Sequence, residues 1–363
     1  MQYLKLGPMK IPYMIKTEDG KKTFHVGRVK IPFSSFQKEG KKYYRLCGIT
    51  FTLPGLDKVA ITQSKINFLQ RGQLTEEKVR QIAQSIFEEK LGYRPNLDEP
   101  ATFNEKIFWF KLNYHDPLVT VCCDKFAVKE YVTQTLGPGY VVPTIASWDS
   151  AEAIDFADLP QRFVMKVNWS SGYNIIVKDK SQLSEEETRQ KVHHWMQPQQ
   201  NSYYQTFNWG YKHMKPVVYA EEYLEQIDGQ LYDYKFYCCG GKAEFLFIAT
   251  DRHKDGKLTY DFFDRDFQHL PLTYGGRGHA SPVPQKPKFY EEMVACAEKL
   301  AKPFPFVRVD FYETDEGFFV GEMTFYSGGG ILPFTPEEWD RKLGAYIPLP
   351  EQKREETENG IGL

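Results

Sequence analysis

The stretch that most constrains the fold covers residues 307–330, with the sequence VRVDFYETDEGFFVGEMTFYSGGG. Apolar and aromatic residues on both sides of an acidic turn at 314–317 predict two strands joined as a hairpin. Each arm carries one carboxylate in an otherwise apolar run, Asp310 in the first and Glu322 in the second. A carboxylate on a sheet face is costly unless a cation neutralises it, so this pair requires a positive partner.

Two interpretations of the pair remain open. Side by side on a hairpin, Asp310 and Glu322 would hold one or two magnesium ions, which take oxygen ligands and usually keep a nucleotide phosphate and waters. Alternatively, the acids face solvent or pair with Arg308 and a lysine, as structural carboxylates also do. Three glycines at 328–330 follow at once and indicate a sharp turn or close approach of the backbone to a ligand.

Composition narrows the class of protein. The 363 residues suit two or three packed subdomains, and 41% hydrophobic with 26% charged residues is typical of a soluble globular protein. The net charge of −2 provides no general attraction to nucleic acid, so we expect no nucleic-acid partner. No run approaches the roughly 18 to 20 apolar residues of a membrane span. The first residues lack the apolar block of a signal peptide, and the six cysteines lack metal-binding spacing; both predict a cytoplasmic protein.

Four segments are predicted along the chain. Residues 1–70 form a β-rich extension, and residues 71–140 form a helical segment. Residues 141–349 form a core of strands and helices, and residues 350–363 are a polar tail. The basic and aromatic cluster at 41–45, KKYYR, is read as a solvated hairpin; peripheral contact with a membrane surface or an acidic substrate is the alternative.

Local signals place several elements. Capping residues predict helices that begin at Thr75, Thr102 and Ser184, and a further helix is expected between residues 124 and 137. Strands at 217–224 and 232–237 are expected to pair through a hairpin turn at Asp228-Gly229.

A lysine beside a polar loop is the second feature of chemical interest. Lys166 interrupts the short apolar strand 163–167, and a Ser/Gly-containing loop at 168–173 leads into a returning strand. A strand lysine supplies a point charge for phosphate, and such a loop supplies backbone N–H groups. An exposed lysine before an ordinary turn is the alternative.

Six sequence blocks, in this order, resemble the TupA-like ATP-grasp family of bacterial cell-surface polysaccharide loci. They lie between Asp116 and Tyr346 and read DPLVTVCCDKFAVKEYV, LPQRFVMKVNWSSGYNIIVKD, WGYKHMKPVVYAEEYLE, DYKFYCCGGK, FPFVRVDFYE and GEMTFYSGGG. The resemblance implies an α+β ATP-grasp fold, in which two α/β subdomains close on a nucleotide, preceded here by the β-rich extension. ATP and Mg²⁺ are the implied cofactors.

The resemblance also implies a set of nucleotide-binding residues. They comprise two lysines that reach the phosphates, a mobile loop over the phosphates, a hinge that reads adenine and ribose, and two positions on the following strand. In that order they are Lys125 and Lys166; Ser170, Ser171 and Gly172; Glu221, Glu222, Tyr223 and Leu224; and Asp233 and Lys235.

The implied catalytic residues are Lys166, Arg308, Asp310 and Glu322. By resemblance, Asp310 and Glu322 are magnesium ligands and Arg308 stabilises the transferring phosphoryl group. The wider ATP-grasp pattern has an asparagine two residues after the metal-binding glutamate, and Thr324 stands there in this chain. A threonine hydroxyl can still reach a metal or a phosphate, but the departure weakens the case for two ions.

The implied reaction is carboxylate activation: MgATP phosphorylates a carboxylate, and an amine attacks the resulting acyl phosphate to give an amide. The expected substrates are a carboxylate-bearing sugar or amino acid of a surface-polysaccharide precursor and an amine, with peripheral contact to a membrane-linked glycan left open. The alternative function is a glycosyltransferase of capsular or O-antigen polysaccharide biosynthesis that uses a sugar nucleotide on an ATP-grasp-like fold. A non-catalytic scaffold with the same fold is a further alternative.

Overall fold

The computed structural model describes residues 74–169, 171–224, 232–250 and 258–350 in full, together with the backbone of the strands between residues 2 and 51. The chain divides into two compact units, Met1–Asn67 and Phe68–Leu363. The segment boundaries expected at residues 70 and 140 stay predictions. Residues 351–363 of the expected polar tail lie outside the described residues, as do the side chains of the cluster at 41–45.

The first unit contains antiparallel strands in two sheets, the class of structure that its sequence predicts. One sheet has the order β1-β2-β3-β4 and the other has the order β5-β6-β7. The strands are β1 (Gln2–Leu6), β2 (Met9–Glu18), β3 (Lys21–Val26), β4 (Val29–Ile31), β5 (Phe33–Lys38), β6 (Lys41–Leu46) and β7 (Ile49–Phe51).

The described helices belong to the second unit. They are α1 (Glu76–Leu91), α2 (Phe103–Asn113), α3 (Pro117–Cys123), α4 (Val128–Leu136), α5 (Glu185–Trp195), α6 (Ser202–Thr206), α7 (Tyr290–Ala301) and α8 (Glu338–Gly344). The starts expected at Thr75, Thr102 and Ser184 are confirmed, because each side chain accepts a hydrogen bond from a backbone N–H of the first turn. Among the described residues, no helix combines the length and the apolar character that crossing a bilayer requires.

Two antiparallel sheets form the framework of the second unit. A four-stranded sheet has the order β10-β9-β11-β8, and a five-stranded sheet has the order β14-β13-β12-β16-β17. The strands of the first are β8 (Thr144–Trp148), β9 (Phe163–Val167), β10 (Asn174–Val177) and β11 (Val218–Glu222). Those of the second are β12 (Asp233–Cys239), β13 (Lys242–Thr250), β14 (Thr259–Asp264), β16 (Phe306–Glu313) and β17 (Phe318–Thr324); β15 (Thr273–Tyr274) pairs separately with β18 (Phe334–Thr335).

The prediction of a hairpin at Asp228-Gly229 is wrong. The strand before it, β11, pairs with β8 and β9, whereas the strand after it, β12, pairs with β13 and β16 in the other sheet. All seven residues of β12 are buried, so this strand is covered on both faces and occupies the middle of its sheet. The chain therefore passes between sheets here, through residues 225–231, which lie outside the described residues.

The helix expected from about residue 124 begins one turn later. Asp124 instead caps a turn: its Oδ1 accepts hydrogen bonds from the backbone N–H groups of Phe126 (2.8 Å) and Ala127 (3.0 Å). This side-chain bonding favours a turn over a continuing helix. Lys125 consequently lies in a short connection between α3 and α4.

Aromatic side chains fill the core of the second unit. Phe103, fully buried at the start of α2, meets the rings of Tyr237, Phe306 and Phe334 edge-on at centroid distances of 5.6, 5.8 and 5.5 Å. Such edge-to-face contacts add to the stabilisation from burial. The many aromatic residues are thus explained by core packing in this unit.

Candidate active site

Three adjacent strands place charged residues side by side. Lys235 on β12 is directly opposite Asp310 on β16, and Asp310 is directly opposite Glu322 on β17. Residues opposite one another in an antiparallel pair share a face of the sheet. The hairpin expected at 307–330 is therefore confirmed, with its two acids in register.

Asp310 is fully enclosed by two cations. Its Oδ1 accepts from Arg308 Nε at 2.6 Å, and its Oδ2 accepts from Arg308 Nη2 at 2.7 Å and from Lys235 Nζ. The side chain is 1% exposed, and this burial raises the pKa of Asp310 above its ordinary value despite the neighbouring positive charges. Of the two interpretations of this residue, pairing with Arg308 and a lysine is the arrangement observed.

Glu322 lies nearer the surface and meets a different lysine. Its Oε2 is 2.9 Å from Lys125 Nζ, and its Oε1 accepts from Arg308 Nη2 at 3.4 Å. Burial opposes ionisation of this carboxyl group, but the positive charges of Lys125, Lys235 and Arg308 outweigh it and hold the pKa of Glu322 well below its usual range. Glu322 is therefore a carboxylate at neutral pH.

Lys125 is positioned by its backbone. Its N–H donates to the carbonyl of Asn168 at 3.0 Å, and Asn168 Nδ2 donates to Asp124 Oδ2 at 2.6 Å. Asn168 follows β9 directly, so the two bonds tie the α3–α4 turn to the four-stranded sheet. The turn therefore holds Lys125 close to both sheets.

Lys166 pairs with Glu221 from the neighbouring strand. Lys166 on β9 is opposite Tyr219 on β11, and Glu221, two residues further along β11, forms an ion pair with Lys166 Nζ. Glu221 Oε2 also accepts from Lys129 Nζ at 2.9 Å, and burial lowers the pKa of Lys129. Lys129 was not identified from the sequence. The only sequence feature that marks this lysine is its position next to the apolar residues of α4.

One cleft collects residues from both sheets. Lys125, Lys166, Ser171, Gly172, Asp233 and Glu322 line it, although they come from separate parts of the chain. Sequence reasoning missed further lining residues, among them Asn174, Tyr312 and Gly321. A Cβ on Gly321 would come within 2.6 Å of Tyr312 Cε2, so the glycine permits the tyrosine ring to lie over β17.

The other residues expected at the site lie elsewhere. Arg308, Asp310 and Lys235 are buried, and together with Glu322 they form a charged row across β12, β16 and β17. Thr324 Oγ1 accepts a hydrogen bond from Arg308 Nη2 at 3.0 Å. Of the expected hinge, Glu222 is exposed, Tyr223 faces the guanidinium of Arg162 at 4.2 Å, and Leu224 is half-buried; none of the three lines the cleft. Ser170 lies outside the described residues.

The donor set fits magnesium through Glu322. Magnesium prefers oxygen ligands, and this carboxylate is ionised and lines the cleft. Asp310 is the adjacent oxygen donor, but both of its oxygens accept from Arg308 or Lys235. It would become a ligand only if a metal replaced one of these cations.

Known proteins resemble this chain over part of its length. No curated protein matched the chain. Among solved structures, matches were found to D-alanine–D-alanine ligase from Bacillus anthracis complexed with ATP (17% identity, 56% of this chain and 54% of that chain, TM-score 0.32) and D-alanine–D-alanine ligase from Helicobacter pylori (13%, 63% and 60%, TM-score 0.35). N5-carboxyaminoimidazole ribonucleotide synthetase from Thermus thermophilus matched at 14% identity over 56% and 45%, with a TM-score of 0.32.

This chain thus spans about half the length of the solved chains that it matches. The family model described as TupA-like ATP-grasp matches residues 105–348, which is more than half of the sequence. It covers every residue of the charged row and of the cleft. The chain therefore belongs to the TupA-like ATP-grasp family.

Proposed function

We propose that this protein joins a carboxylate to an amine at the expense of ATP, through an acyl phosphate, on a precursor of a cell-surface polysaccharide. The observation that carries the proposal is the convergence of Lys125, Lys166 and Glu322 in one cleft. Two cations beside an ionised carboxylate provide what a magnesium-bound triphosphate requires, namely positive charge for phosphate oxygens and an oxygen ligand for the metal.

Each residue of the cleft has a role in this proposal. Lys125 and Lys166 would leave their glutamate partners and bind the phosphates as point charges. The segment of Ser171 and Gly172 would cover the phosphates and donate backbone N–H groups. Glu322, with Asp310 and Thr324 near it, would hold magnesium, which supplies charge neutralisation to the phosphates when bound.

Two further parts of the proposed site act at its edges. Arg308, fixed by Asp310 and by Ser327 Oγ (3.1 Å), supplies a buried positive charge beside the transferring group. Glu221, Glu222, Tyr223 and Leu224 would read adenine and ribose, with Asp233 and Lys235 on the following strand.

The proposed reaction has two steps. A carboxylate oxygen of the substrate attacks the γ-phosphorus, and the bond to the bridging oxygen breaks, so that ADP leaves and an acyl phosphate forms. The amine nitrogen then attacks the acyl carbon, phosphate leaves, and the nitrogen loses a proton to give the amide. The protein contributes position, charge and exclusion of water from the acyl phosphate.

The proposed substrate class rests on the family resemblance. The carboxylate would belong to a uronic acid or an amino acid of the polysaccharide precursor, and the amine to an amino acid or a small amine. Because ATP is a cytoplasmic nucleotide, we place the protein in the cytoplasm, with peripheral contact to a membrane-linked glycan.

Nucleotide specificity tests the proposal against a glycosyltransferase. The melting temperature of the full chain would be measured with MgATP and with a panel of UDP-sugars. Stabilisation by MgATP alone supports the ligase, because only ATP donates a γ-phosphoryl group; stabilisation by a UDP-sugar and not by MgATP overturns it. Incubation of MgATP with pools of uronic acids and amines, followed by ADP assay and product mass, would then identify the substrates.

A further inference from the structure

We propose that Asp261, His269 and His279 form a binding site for a divalent transition-metal cation, separate from the nucleotide cleft. His269 Nε2 and His279 Nδ1 each lie 3.0 Å from the same oxygen, Asp261 Oδ1. The three ligand atoms lie within 4.8 Å of one another. The centroids of the two imidazole rings are 5.1 Å apart, and the ring planes are inclined by 73°.

The backbone holds these three side chains in place. Asp261 is on β14, and the residues on either side of it bond to the two histidine segments: Tyr260 N–H donates to Gly278 O (3.0 Å), and Leu270 N–H donates to Phe262 O (2.8 Å). Asp261 Oδ2 accepts from the N–H of Ala280 at 2.9 Å. The ligands are therefore fixed by strand-like pairing on both sides of Asp261, as a preorganised metal site requires.

The charge at Asp261 is the second line of argument. This carboxylate is completely buried, and its ion pairs among the described residues are with the two histidines, each about one-third exposed. A buried carboxylate is costly unless a cation compensates it. A divalent ion between the three ligand atoms would supply the charge, and the exposed side of the histidines would leave one position for water.

The ligand types point to zinc or a related ion. Imidazole nitrogen favours zinc, copper, iron and nickel, whereas magnesium prefers an all-oxygen environment. Zinc bonds of about 2.0–2.1 Å to nitrogen and oxygen place neighbouring ligand atoms roughly 3.3 Å apart in a tetrahedron. The two observed nitrogen–oxygen separations of 3.0 Å approach that spacing, and the two ring nitrogens lie within 4.8 Å of each other.

Strand register separates this site from the cleft. Asp261 is opposite Ile248 on β13, and Ile248 is opposite Tyr234 on β12. The next residue of β12, Lys235, belongs to the charged row and faces the other side of the sheet, because successive side chains alternate. The face of Tyr234 also carries Phe236, whose ring contacts Tyr290 of α7. A cation at Asp261 would therefore fasten two loops to the edge strand on the α7 side, away from the phosphates.

Metal titration of the full chain tests the proposal. Zn²⁺ would be titrated in competition with a chromophoric chelator, and Co²⁺ would be followed by its visible absorption, both in excess Mg²⁺ to saturate oxygen-only sites. We expect one Zn²⁺ per chain and a raised melting temperature. His279→Ala and His269→Ala should each weaken Zn²⁺ binding at least about tenfold, because even the loss of a group that only hydrogen-bonds to a metal ligand costs that much.

His193→Ala is the matched control. His193 Nδ1 also lies close to a carboxylate, 2.8 Å from Glu152 Oε1, but this exposed pair has no third ligand among the described residues. This variant should bind Zn²⁺ like the wild type. Circular dichroism would confirm that all variants fold, and MgATP binding should persist in His279→Ala, which separates this proposal from the proposed function. Absence of stoichiometric Zn²⁺ binding by the wild type, or equal binding by all variants, would overturn the proposal; the three residues would then be a hydrogen-bonded cluster only.

Discussion

Lys125 and Glu322 form a 2.9 Å ion pair between the α3–α4 turn and the last strand of the five-stranded sheet. The pair joins two parts of the chain that no local sequence pattern connects. Glu322 also accepts from Arg308, which is bonded in turn to Asp310. Glu322 is therefore the member of the charged row that both lines the cleft and contacts the buried cations.

Replacement of Glu322 tests the metal role. Glu322→Gln removes the negative charge but keeps the shape of the side chain, so we expect metal-dependent ATP turnover to be lost while the far-UV spectrum is unchanged. Glu316→Gln, in the exposed turn of the same hairpin, is the control and should retain turnover. ADP release at saturating Mg²⁺ is the measurement; normal turnover in Glu322→Gln would exclude a role as metal ligand.

Replacement of Lys166 tests the phosphate role. Lys166→Ala deletes a cation that lines the cleft, so ATP affinity measured by calorimetry should fall by about tenfold or more, the loss expected for one charge-assisted hydrogen bond. Lys178→Ala, an exposed lysine just beyond the returning strand β10, is the matched control. Equal ATP affinities in the two variants would mean that Lys166 serves only its pair with Glu221.

Lys111 gives a pH-dependent prediction. This lysine is 2% exposed, with Nζ 4.3 Å above the ring of Phe108 and 3.3 Å from Thr206 O, and burial lowers its pKa from 10.5 to about 7. Between pH 7 and 10.5 the unfolded chain binds the proton more tightly than the folded protein does, so this residue makes stability rise with pH across that window.

Lys111→Met should remove that dependence. The variant should be more stable than the wild type at pH 7 and below, where the buried charge is costly in the folded state, and the difference should shrink as the pH approaches 10.5. Urea denaturation at a series of pH values measures the difference in the free energy of unfolding. Parallel curves for the two proteins would show that Lys111 keeps an ordinary pKa.

Gly328 gives a prediction about stability. Its φ is +56°, and a Cβ there would clash with the hydroxyl of Tyr274. Gly328→Ala should therefore destabilise the fold by about 2–4 kcal/mol, from the left-handed backbone and the clash together. Gly317→Ala, in the turn of the hairpin with open space around its Cβ, should cost much less. Similar melting temperatures for the two variants would contradict this expectation.

The parts of the fold that the sequence predicts are those whose partners are close in the chain. The β16–β17 hairpin places Asp310 opposite Glu322, and the β9–β10 hairpin places Lys166 opposite Asn174, in each case through a short turn. Alternation of apolar residues and turn signals is sufficient there. Side-chain capping likewise identifies Thr102 as the start of α2, because the cap is complete within four residues.

Relations between distant segments were not predictable in this way. The strand before Asp228 and the strand after it both suit a hairpin, but β12 pairs instead with the following strand β13 on one side and with β16, from a distant part of the chain, on the other. Of the proposed metal ligands, His269 and His279 lie 8 and 18 residues from Asp261 in sequence. These separations are too long for a local sequence pattern to connect the three residues, so the folded backbone is what reveals the cluster.

The ion pairs of the cleft determine how the affinity for an anionic ligand should depend on ionic strength. Lys125 and Lys166 are already neutralised by Glu322 and Glu221, so an incoming polyanion enters by exchange with these glutamates and releases few mobile counterions from the lysines. Its affinity should therefore vary less steeply with salt concentration than at a site of solvent-screened lysines. A ligand would bind only if its own contacts with the two lysines and the rest of the cleft are more favourable than the ion pairs that it displaces. A simple anion that lacks the rest of the nucleotide would therefore bind weakly.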